Sequence, residues 1–208
     1  MRHLDWMSYY YYGQVLKFYT RGVEKMRVIS GTLKRKPIVG DHIDGTRPTM
    51  DRVKESLFAM IQMEVKNSIC LDLFAGSGSL GIEALSNGAS FCYFVEHGQA
   101  AGKAIQQNLK NLNLEAKSEF LAMDYKKALK KLHGKKFDLI FLDPPYQAGL
   151  MTQAMEQIAT LDLLTEEGLL LCEYSEIDLE NIANFVLLRQ KKYGNTKINV
   201  YKKKNGKY

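Results

Sequence analysis

Short apolar runs alternate with amphipathic segments through most of the chain. The runs that predict strands are "SICLDLFAG", "SFCYFVE", "KSEFLAMD", "FDLIFLD" and "GLLLCEYS". Segments with the apolar period of a helix separate them, the last from about residue 150 to 159. Such alternation is typical of a parallel, doubly wound sheet that binds ligands at the carboxyl ends of its strands. The tail "NFVLLRQKKYGNTKINVYKKK" predicts two strands around a turn at "YGNT". We therefore expect an α/β, Rossmann-like, mainly parallel seven-stranded sheet with an antiparallel C-terminal hairpin strand.

The segment before the first strand follows a different pattern. "RVISG" and "KRKPIVG" predict a short β-hairpin with Gly31 near its turn, and "DGTRP" predicts a second turn. A helix is expected to begin after Thr49, which is a good N-cap residue. Its buried stripe recurs every four residues, at Val53, Leu57 and Ile61.

Residues 1–25 differ from the rest of the chain, with the only Trp and a run of four tyrosines. We interpret them as an N-terminal extension without fixed structure; the alternative is an arm that touches RNA. They lack the pattern of a secretory signal. Residues 26–208 are expected to form one domain, with a hairpin and helix over 26–66 and a Rossmann-like core over 67–208. The length of 208 residues suits one such domain.

Composition adds a few limits. The net charge of +6 favours a polyanionic partner without proving one. No apolar run approaches the roughly 20 residues of a membrane helix, so no membrane partner is expected. Cys70, Cys92 and Cys172 each lie in an apolar run, which predicts buried, reduced thiols and a cytoplasmic location. The four histidines have no metal-ligand spacing, so no metal is expected.

The segment "CLDLFAGSGSLGIEAL" contains glycines in the spacing G-x-G-x-x-G, after a strand and at the start of a helix. This spacing alone serves several nucleotide cofactors. Glu96 ends the next strand about 20 residues later, where a carboxylate can accept both ribose hydroxyls. Asp72 would repel a pyrophosphate but favour a sulfonium and an amino group. Its alternative role is a strand-end cap.

Asp124 ends the third strand. It is a candidate to accept a hydrogen bond from an adenine amino group, to cap the following helix, or both. His97 is expected at the rim of the site without a catalytic role. Together these patterns indicate S-adenosylmethionine as the cofactor. The predicted cofactor-binding residues are Asp72, Phe74, Ala75, Gly76, Ser77, Gly78, Glu96, His97, Asp124 and Tyr125.

"FLDPPY" places an acid, two prolines and an aromatic ring directly after an apolar strand. An exocyclic amine of a nucleobase is a poor nucleophile, and acceptors on its two N–H bonds localise its lone pair. Asp143 and the carbonyl of Pro144 can supply those acceptors, and Pro145 stiffens the backbone that places them. Tyr146 can stack on the base. These four residues are the predicted catalytic group.

"LDLFAGSGSLGIEAL", "VE" and "FLDPPY" resemble the class I S-adenosylmethionine-dependent methyltransferases that methylate amines. "MRVISG" and "TRPTMDRVKESLF" extend the resemblance, from Met26 to about Lys204, to the RsmD family of bacterial 16S rRNA guanine-N2 methyltransferases. The family target is guanine 966. The resemblance implies action on 16S rRNA, and a small-subunit assembly particle is the expected partner, with naked RNA as the open alternative. A monomer is expected. "EHG" departs from the family pattern after Glu96, so a second ribose contact is in doubt.

The resemblance also directs attention to basic residues before the first core strand. The predicted RNA-binding residues are Arg47, Thr49, Arg52, Lys34, Arg35 and Lys36. Lys54 is expected on a solvated face. Three alternatives stay open from the residues themselves: an adenine-N6 methyltransferase, a non-catalytic RNA-binding module that keeps the pocket, and a nicotinamide dehydrogenase.

Overall fold

A computed structural model describes residues 26–40, 47–145, 149–174, 184–194 and 196–204, without the side chains of residues 47–50 and 174. The expectations for residues 1–25 and for Tyr146 therefore lie outside the described residues. No helix in the described ranges is both long and apolar enough to cross a membrane. Nor do the described side chains place three or more potential metal ligands together.

Seven strands form the sheet, and their order along the chain follows the predicted alternation. The strands are β1 Ile69–Asp72, β2 Phe91–Val95, β3 Ser118–Leu121, β4 Phe137–Leu142, β5 Leu164–Tyr174, β6 Phe185–Tyr193 and β7 Thr196–Lys203. The helices are α1 Arg47–Met60, α2 Gln62–Val65, α3 Ser79–Ser86, α4 Gln99–Asn111, α5 Tyr125–Lys131 and α6 Leu150–Thr160, with a short 3₁₀ helix at Glu115–Lys117.

The strand order in the sheet is β3-β2-β1-β4-β5-β7-β6. Strands β1 to β5 pair in parallel, and β7 runs antiparallel between β5 and β6. The predicted fold class is confirmed, including the antiparallel hairpin strand. The order reverses direction between β1 and β4, and ligands of such sheets bind at the carboxyl ends beside this point.

Apolar side chains cover both faces of the sheet. In β1, Cys70 belongs to one core and Leu71 to the other, because successive side chains of a strand point to opposite faces. The first core includes the predicted helix stripe, with Val53, Leu57 and Ile61 all buried. The three cysteines are buried and unpaired, as predicted.

The N-terminal segment differs from its prediction in one respect. Helix α1 begins at Arg47, two residues before the expected cap Thr49. The predicted hairpin is present and short: one bridge joins Arg27 and Pro37, and backbone hydrogen bonds run from Val28 to Lys36 and from Ile38 to Met26. Nearer the turn, the N–H groups of Ile29 and Ser30 donate to the Glu83 carboxylate of α3 instead.

Candidate active site

A cavity of about 400 Å³ opens at the carboxyl ends of β1, β2, β3 and β4. Its walls come from the segments that follow these strands and from the start of α6. The lining residues are Leu73, Phe74, Val95, Glu96, His97, Met123, Asp124, Tyr125, Lys126, Pro145, Leu150 and Gln153. Five of the predicted cofactor residues therefore share one cavity with a residue of the predicted catalytic group.

The glycine loop connects β1 to α3 and borders this cavity. Gly76 and Gly78 have φ angles of 54° and 81°, in the left-handed region that favours glycine. Gly81 is required for close packing, because a Cβ there would lie 2.3 Å from Cε1 of Phe94. The predicted motif therefore performs two tasks: it turns the chain sharply and it seats α3 against β2.

Glu96 ties the loop to the next strand end. One carboxylate oxygen accepts from the Gly76 N–H at 3.1 Å, and the other accepts from the Gly98 N–H at 2.6 Å. A carboxylate has about four lone-pair positions, so acceptor capacity remains on both oxygens. His97 stands at the rim, with Nδ1 3.5 Å from Glu96 and an exposed ring, as predicted.

Asp72 lies behind the loop and does not line the cavity. It is buried, and its Oδ2 accepts from the Gly81 N–H at 2.9 Å, which is the capping role left open by the sequence. The pKa of Asp72 is raised from 3.8 to about 7: burial is the main cause, the Gly81 hydrogen bond opposes it, and the charges of Asp143 and Glu96 add to it. The neighbouring groups of the site therefore help to set the pKa of Asp72.

The position of Asp124 suits both of the roles expected of it. It caps α5 by accepting from the Lys126 N–H at 2.9 Å, and it lines the cavity with its carboxylate exposed. The rings of Phe74 and Tyr125 lie nearby, with centroids 5.1 Å apart and a tilt of 46°. These two rings supply the flat apolar wall that an aromatic ligand needs.

The remaining loop residues sit beside the cavity and do not line it. The Ala75 N–H donates to the carbonyl of Val95 at 3.0 Å. The Ser77 carbonyl accepts from the Asn108 side chain at 2.9 Å. These contacts fix the loop against β2 and α4, so residues 75 to 77 shape the site through their backbone.

Asp143 and Pro144 follow the last residue of β4 and precede Pro145, which lines the cavity. The Asp143 side chain reaches solvent, yet the surrounding protein removes enough water to raise its pKa to about 6. Its charge is also one of the causes that raise the pKa of Asp72. The predicted catalytic acid therefore stands two residues before Pro145, which lines the cavity.

Glu173 is a site residue that the sequence analysis missed. The register pairs Leu142 of β4 with Cys172 of β5, so Asp143 and Glu173 are the next residues on adjacent strands. Burial and the charge of Asp143 raise the pKa of Glu173 to about 8. The signal was present in "CEYS", an acid near the end of a predicted strand, as in β1 and β4.

Comparisons with known proteins agree with this arrangement. The family described as "Conserved hypothetical protein 95" matches residues 26–202. YlbH of Bacillus subtilis, which carries the name of an rRNA methyltransferase, is 39% identical over 183 residues, covering 86% of this chain and all of that protein. Ribosomal RNA small subunit methyltransferase D of Escherichia coli is 31% identical over 188 residues, covering 88% of this chain and 92% of that protein.

The chain belongs to the RsmD family of methyltransferases. The solved structure of Escherichia coli YhhF, named as a methyltransferase, matches with a TM-score of 0.78 and 28% identity. That match covers 86% of this chain and 98% of YhhF. The resemblance inferred from the motifs is thus confirmed.

The basic residues predicted to bind RNA do not share one surface. Arg52 is exposed on α1, whereas the side chains of Arg47 and Thr49 lie outside the described part of the chain. Lys34, Arg35 and Lys36 are exposed at the end of the sheet that lies opposite the cavity. Their turn is held by Ser86, the last residue of α3, which runs back from the cavity. In this RsmD-family fold, those three residues are remote from the cavity.

Lys54 was expected on a solvated face, and the structure shows otherwise. It is buried, not solvated: Nζ donates to the Arg27 carbonyl at 3.2 Å and to Ser79 Oγ at 2.9 Å, and lies 3.9 Å from Glu83. The reason is tertiary, because the N-terminal segment packs across α3 and encloses this face of α1. Lys54 therefore stabilises the RsmD-family fold from within.

The raised pKa of Asp72 predicts how stability depends on pH. An acid with a higher pKa in the folded state holds more protons there than in the unfolded state, so the free energy of unfolding falls as pH rises from about 4 to 7. Asp72→Asn should make this fall shallower, as measured by urea unfolding across pH. Asp162→Asn is the control of opposite sign, because lysines lower the Asp162 pKa. An unchanged pH dependence in Asp72→Asn would contradict this account.

Proposed function

We propose that the protein transfers a methyl group from S-adenosylmethionine to the exocyclic N2 of a guanine in 16S rRNA, at guanine 966 by family usage. The observation that carries the proposal is the position of Asp143, Pro144 and Pro145. They stand at the edge of a cavity whose acids suit a nucleoside cation, in a chain that belongs to the RsmD family. The relatives named above support rRNA as the substrate class.

The donor set of the cavity fits S-adenosylmethionine. Glu96 retains acceptor capacity for ribose hydroxyls, and Asp124 has a second oxygen available for an adenine amino group. Phe74 and Tyr125 offer aromatic faces. Acids bordering the site favour a sulfonium and disfavour a pyrophosphate, which counts against a nicotinamide dinucleotide. When bound, the cofactor supplies an electrophilic methyl group.

The residues after β4 are suited to activate a nucleobase amine. An ionised Asp143 accepts from one N–H of the amine, and the Pro144 carbonyl can accept from the other. These two acceptors would orient the nitrogen lone pair toward the methyl group that a bound S-adenosylmethionine would supply, and its sulfur would keep the electron pair of the broken methyl–sulfur bond. The proton lost from nitrogen passes to Asp143 or to water. Pre-placed acceptors lower the barrier by orientation.

The target base has to leave its helix to reach this group. A recessed site at the end of a sheet accepts an unpaired or flipped nucleotide more readily than a base within a duplex. We propose a cytoplasmic monomer acting on a small-subunit assembly particle, in which RNA folding exposes that nucleotide.

The proposal is tested with radiolabelled S-adenosylmethionine, using naked small-subunit rRNA and immature particles from a strain lacking the enzyme. We expect N2-methylguanine at one nucleotide, identified by nuclease digestion and mass spectrometry. Labelled N6-methyladenine would instead establish the alternative adenine activity. RNA binding without label in any nucleoside would overturn the proposal and favour a non-catalytic module.

Glu96→Ala should weaken binding of S-adenosylmethionine about 100-fold, as measured by calorimetry. It removes the ribose acceptor and leaves the N–H groups of Gly76 and Gly98 without their partner, and hydrogen bonds to a charged group are worth about 1.5–3 kcal/mol. Glu115→Ala is the control, because Glu115 is an exposed acid that does not line the cavity, and its affinity should stay within about threefold. Equal losses in the two variants would contradict the assignment of Glu96.

A further inference from the structure

The C-terminal hairpin carries a concentration of positive charge that the site described above does not use. Residues 185–204 contain seven Lys and Arg residues and no Asp or Glu, whereas the net charge of the whole chain is +6. The rest of the chain is therefore close to neutral. The basic character of the protein belongs to this hairpin.

Cations away from the turn of the hairpin form ion pairs with carboxylates of the protein. Arg189 lies 3.1 Å from Glu64. Lys203 lies 2.5 Å from Asp162 and 3.1 Å from Glu166. The positive charges of Arg189 in the middle of β6 and of Lys203 at the end of β7 are therefore paired within the fold.

The hairpin tip differs from that end. Lys191 and Lys192 are exposed, and neither forms an ion pair with a carboxylate among the residues that the structure describes. Lys192 stands directly opposite Lys197 on β7. The tip therefore presents exposed positive charge from Lys191 and Lys192.

The sheet places this tip beside the proposed catalytic group. The register aligns Glu173 of β5 with Ile198 of β7, and Ile198 with Lys191 of β6. Asp143 is the residue next to Glu173 on β4. Three steps between strands, at about 4.8 Å each, put the Lys191 backbone about 14 Å from Asp143. This is the side of Asp143 away from the cofactor cavity.

A contact with α1 fixes the position of the tip. The Tyr193 hydroxyl hydrogen-bonds to Ser56 Oγ, and Lys191 Nζ lies 5.4 Å from the centroid of the Tyr193 ring. Arg52 is four residues before Ser56 and is exposed, so it lies on the same side of α1, one turn nearer the tip. Arg52 and Lys191 therefore lie on the α1 side of the tip, and Lys192, the next residue of β6, projects from the other face of the strand. The three cations form a basic rim around the tip.

We propose that this rim, formed by Arg52, Lys191 and Lys192, binds the phosphates of single-stranded RNA next to the target nucleotide. The inference rests on the proposed function for the identity of that nucleotide. The cavity fills the β1–β3 side of Asp143, so the strand carrying the base enters from the β5 side, where the rim lies. Charge complementarity selects a polyanion, and the position beside the catalytic group selects RNA.

The test compares Lys191→Gln/Lys192→Gln with Lys130→Gln/Lys131→Gln. The control pair is equally exposed and adjacent, but lies at the end of α5, on the opposite edge of the sheet. Affinity for polyuridylate is measured by filter binding between 50 and 300 mM salt. Loss of two phosphate contacts should reduce the slope of log affinity against log salt by about 1.4 and weaken binding about tenfold at low salt. Lys191→Arg/Lys192→Arg should restore both.

Methylation of small-subunit rRNA is measured in parallel. The KM for RNA should rise about tenfold in the glutamine pair, with kcat and cofactor affinity within about twofold. Unchanged affinity and slope, or an equal loss in the control pair, would overturn the proposal. If the lysines govern polyuridylate binding but the wild type methylates no RNA, the surface stands and the proposed function fails.

Discussion

Asp143→Ala is expected to lower kcat about 1000-fold while S-adenosylmethionine still binds within about threefold of the wild type. Removal of one pre-placed group that stabilises a transition state typically costs 10²–10³ in turnover. Asp143 borders the cavity beyond Pro145, and the predicted cofactor contacts lie at Glu96 and Asp124. Single-turnover methylation and calorimetry together separate the chemical step from cofactor binding.

Asp143→Asn refines this prediction. Asparagine keeps one oxygen acceptor but accepts no proton, so a loss smaller than that of alanine would assign the main role of Asp143 to hydrogen bonding. Asp162→Ala is the matched control, because Asp162 is an exposed acid remote from the cavity. If Asp143→Ala retains activity within a few-fold of the wild type, the proposed amine activation is wrong.

Glu83→Ala should lower the free energy of unfolding by about 3–5 kcal/mol, the usual result of breaking a buried charged network. Glu83 is fully buried in α3 and accepts from the N–H groups of Ile29 and Ser30 and from Ser30 Oγ. Alanine leaves those donors unsatisfied and removes the Glu83 carboxylate that lies 3.9 Å from the buried ammonium of Lys54. Urea unfolding measures the loss.

Glu156→Ala is the control for this stability prediction. Glu156 is exposed on α6, and such surface changes usually alter stability by less than about 0.5 kcal/mol. Lys54→Met in the Glu83→Ala background should recover part of the loss, because it removes a buried charge that has lost the Glu83 carboxylate. A Glu83→Ala protein as stable as the control would show that the N-terminal segment is not anchored through α3.

The motifs predicted which strand ends meet at the cavity, because each motif is local. A glycine loop has to follow its strand, and an acid at the end of a parallel strand has to lie at the same edge as its neighbours. Glu96, Asp124 and Pro145 therefore meet around one cavity without any information beyond sequence order. The same reasoning could have found Glu173, whose strand ends beside that of Asp143.

The basic residues show where local reasoning fails. Lys34 and Arg52 are close in sequence, yet the fold separates them. Lys34 lies at the end of α3 that is remote from the cavity, and Arg52 lies toward the opposite end of the sheet. Lys54 carries the same charge but is buried, because a segment distant in sequence packs over it. The sequence shows that a residue is charged, but not whether its side chain will contact a carboxylate, a carbonyl or solvent.

The amino-acid sequence by itself determined the parallel sheet, the glycine loop and the order of acids along the site, because strand period, turn chemistry and strand direction depend on near neighbours. Only the tertiary structure decided that Asp72 lies behind the loop, that Glu83 and Lys54 form an interior network, and that the sheet register sets Lys191 of β6 level with Glu173 of β5. These positions depend on which elements pack together, and packing joins residues that the chain keeps far apart.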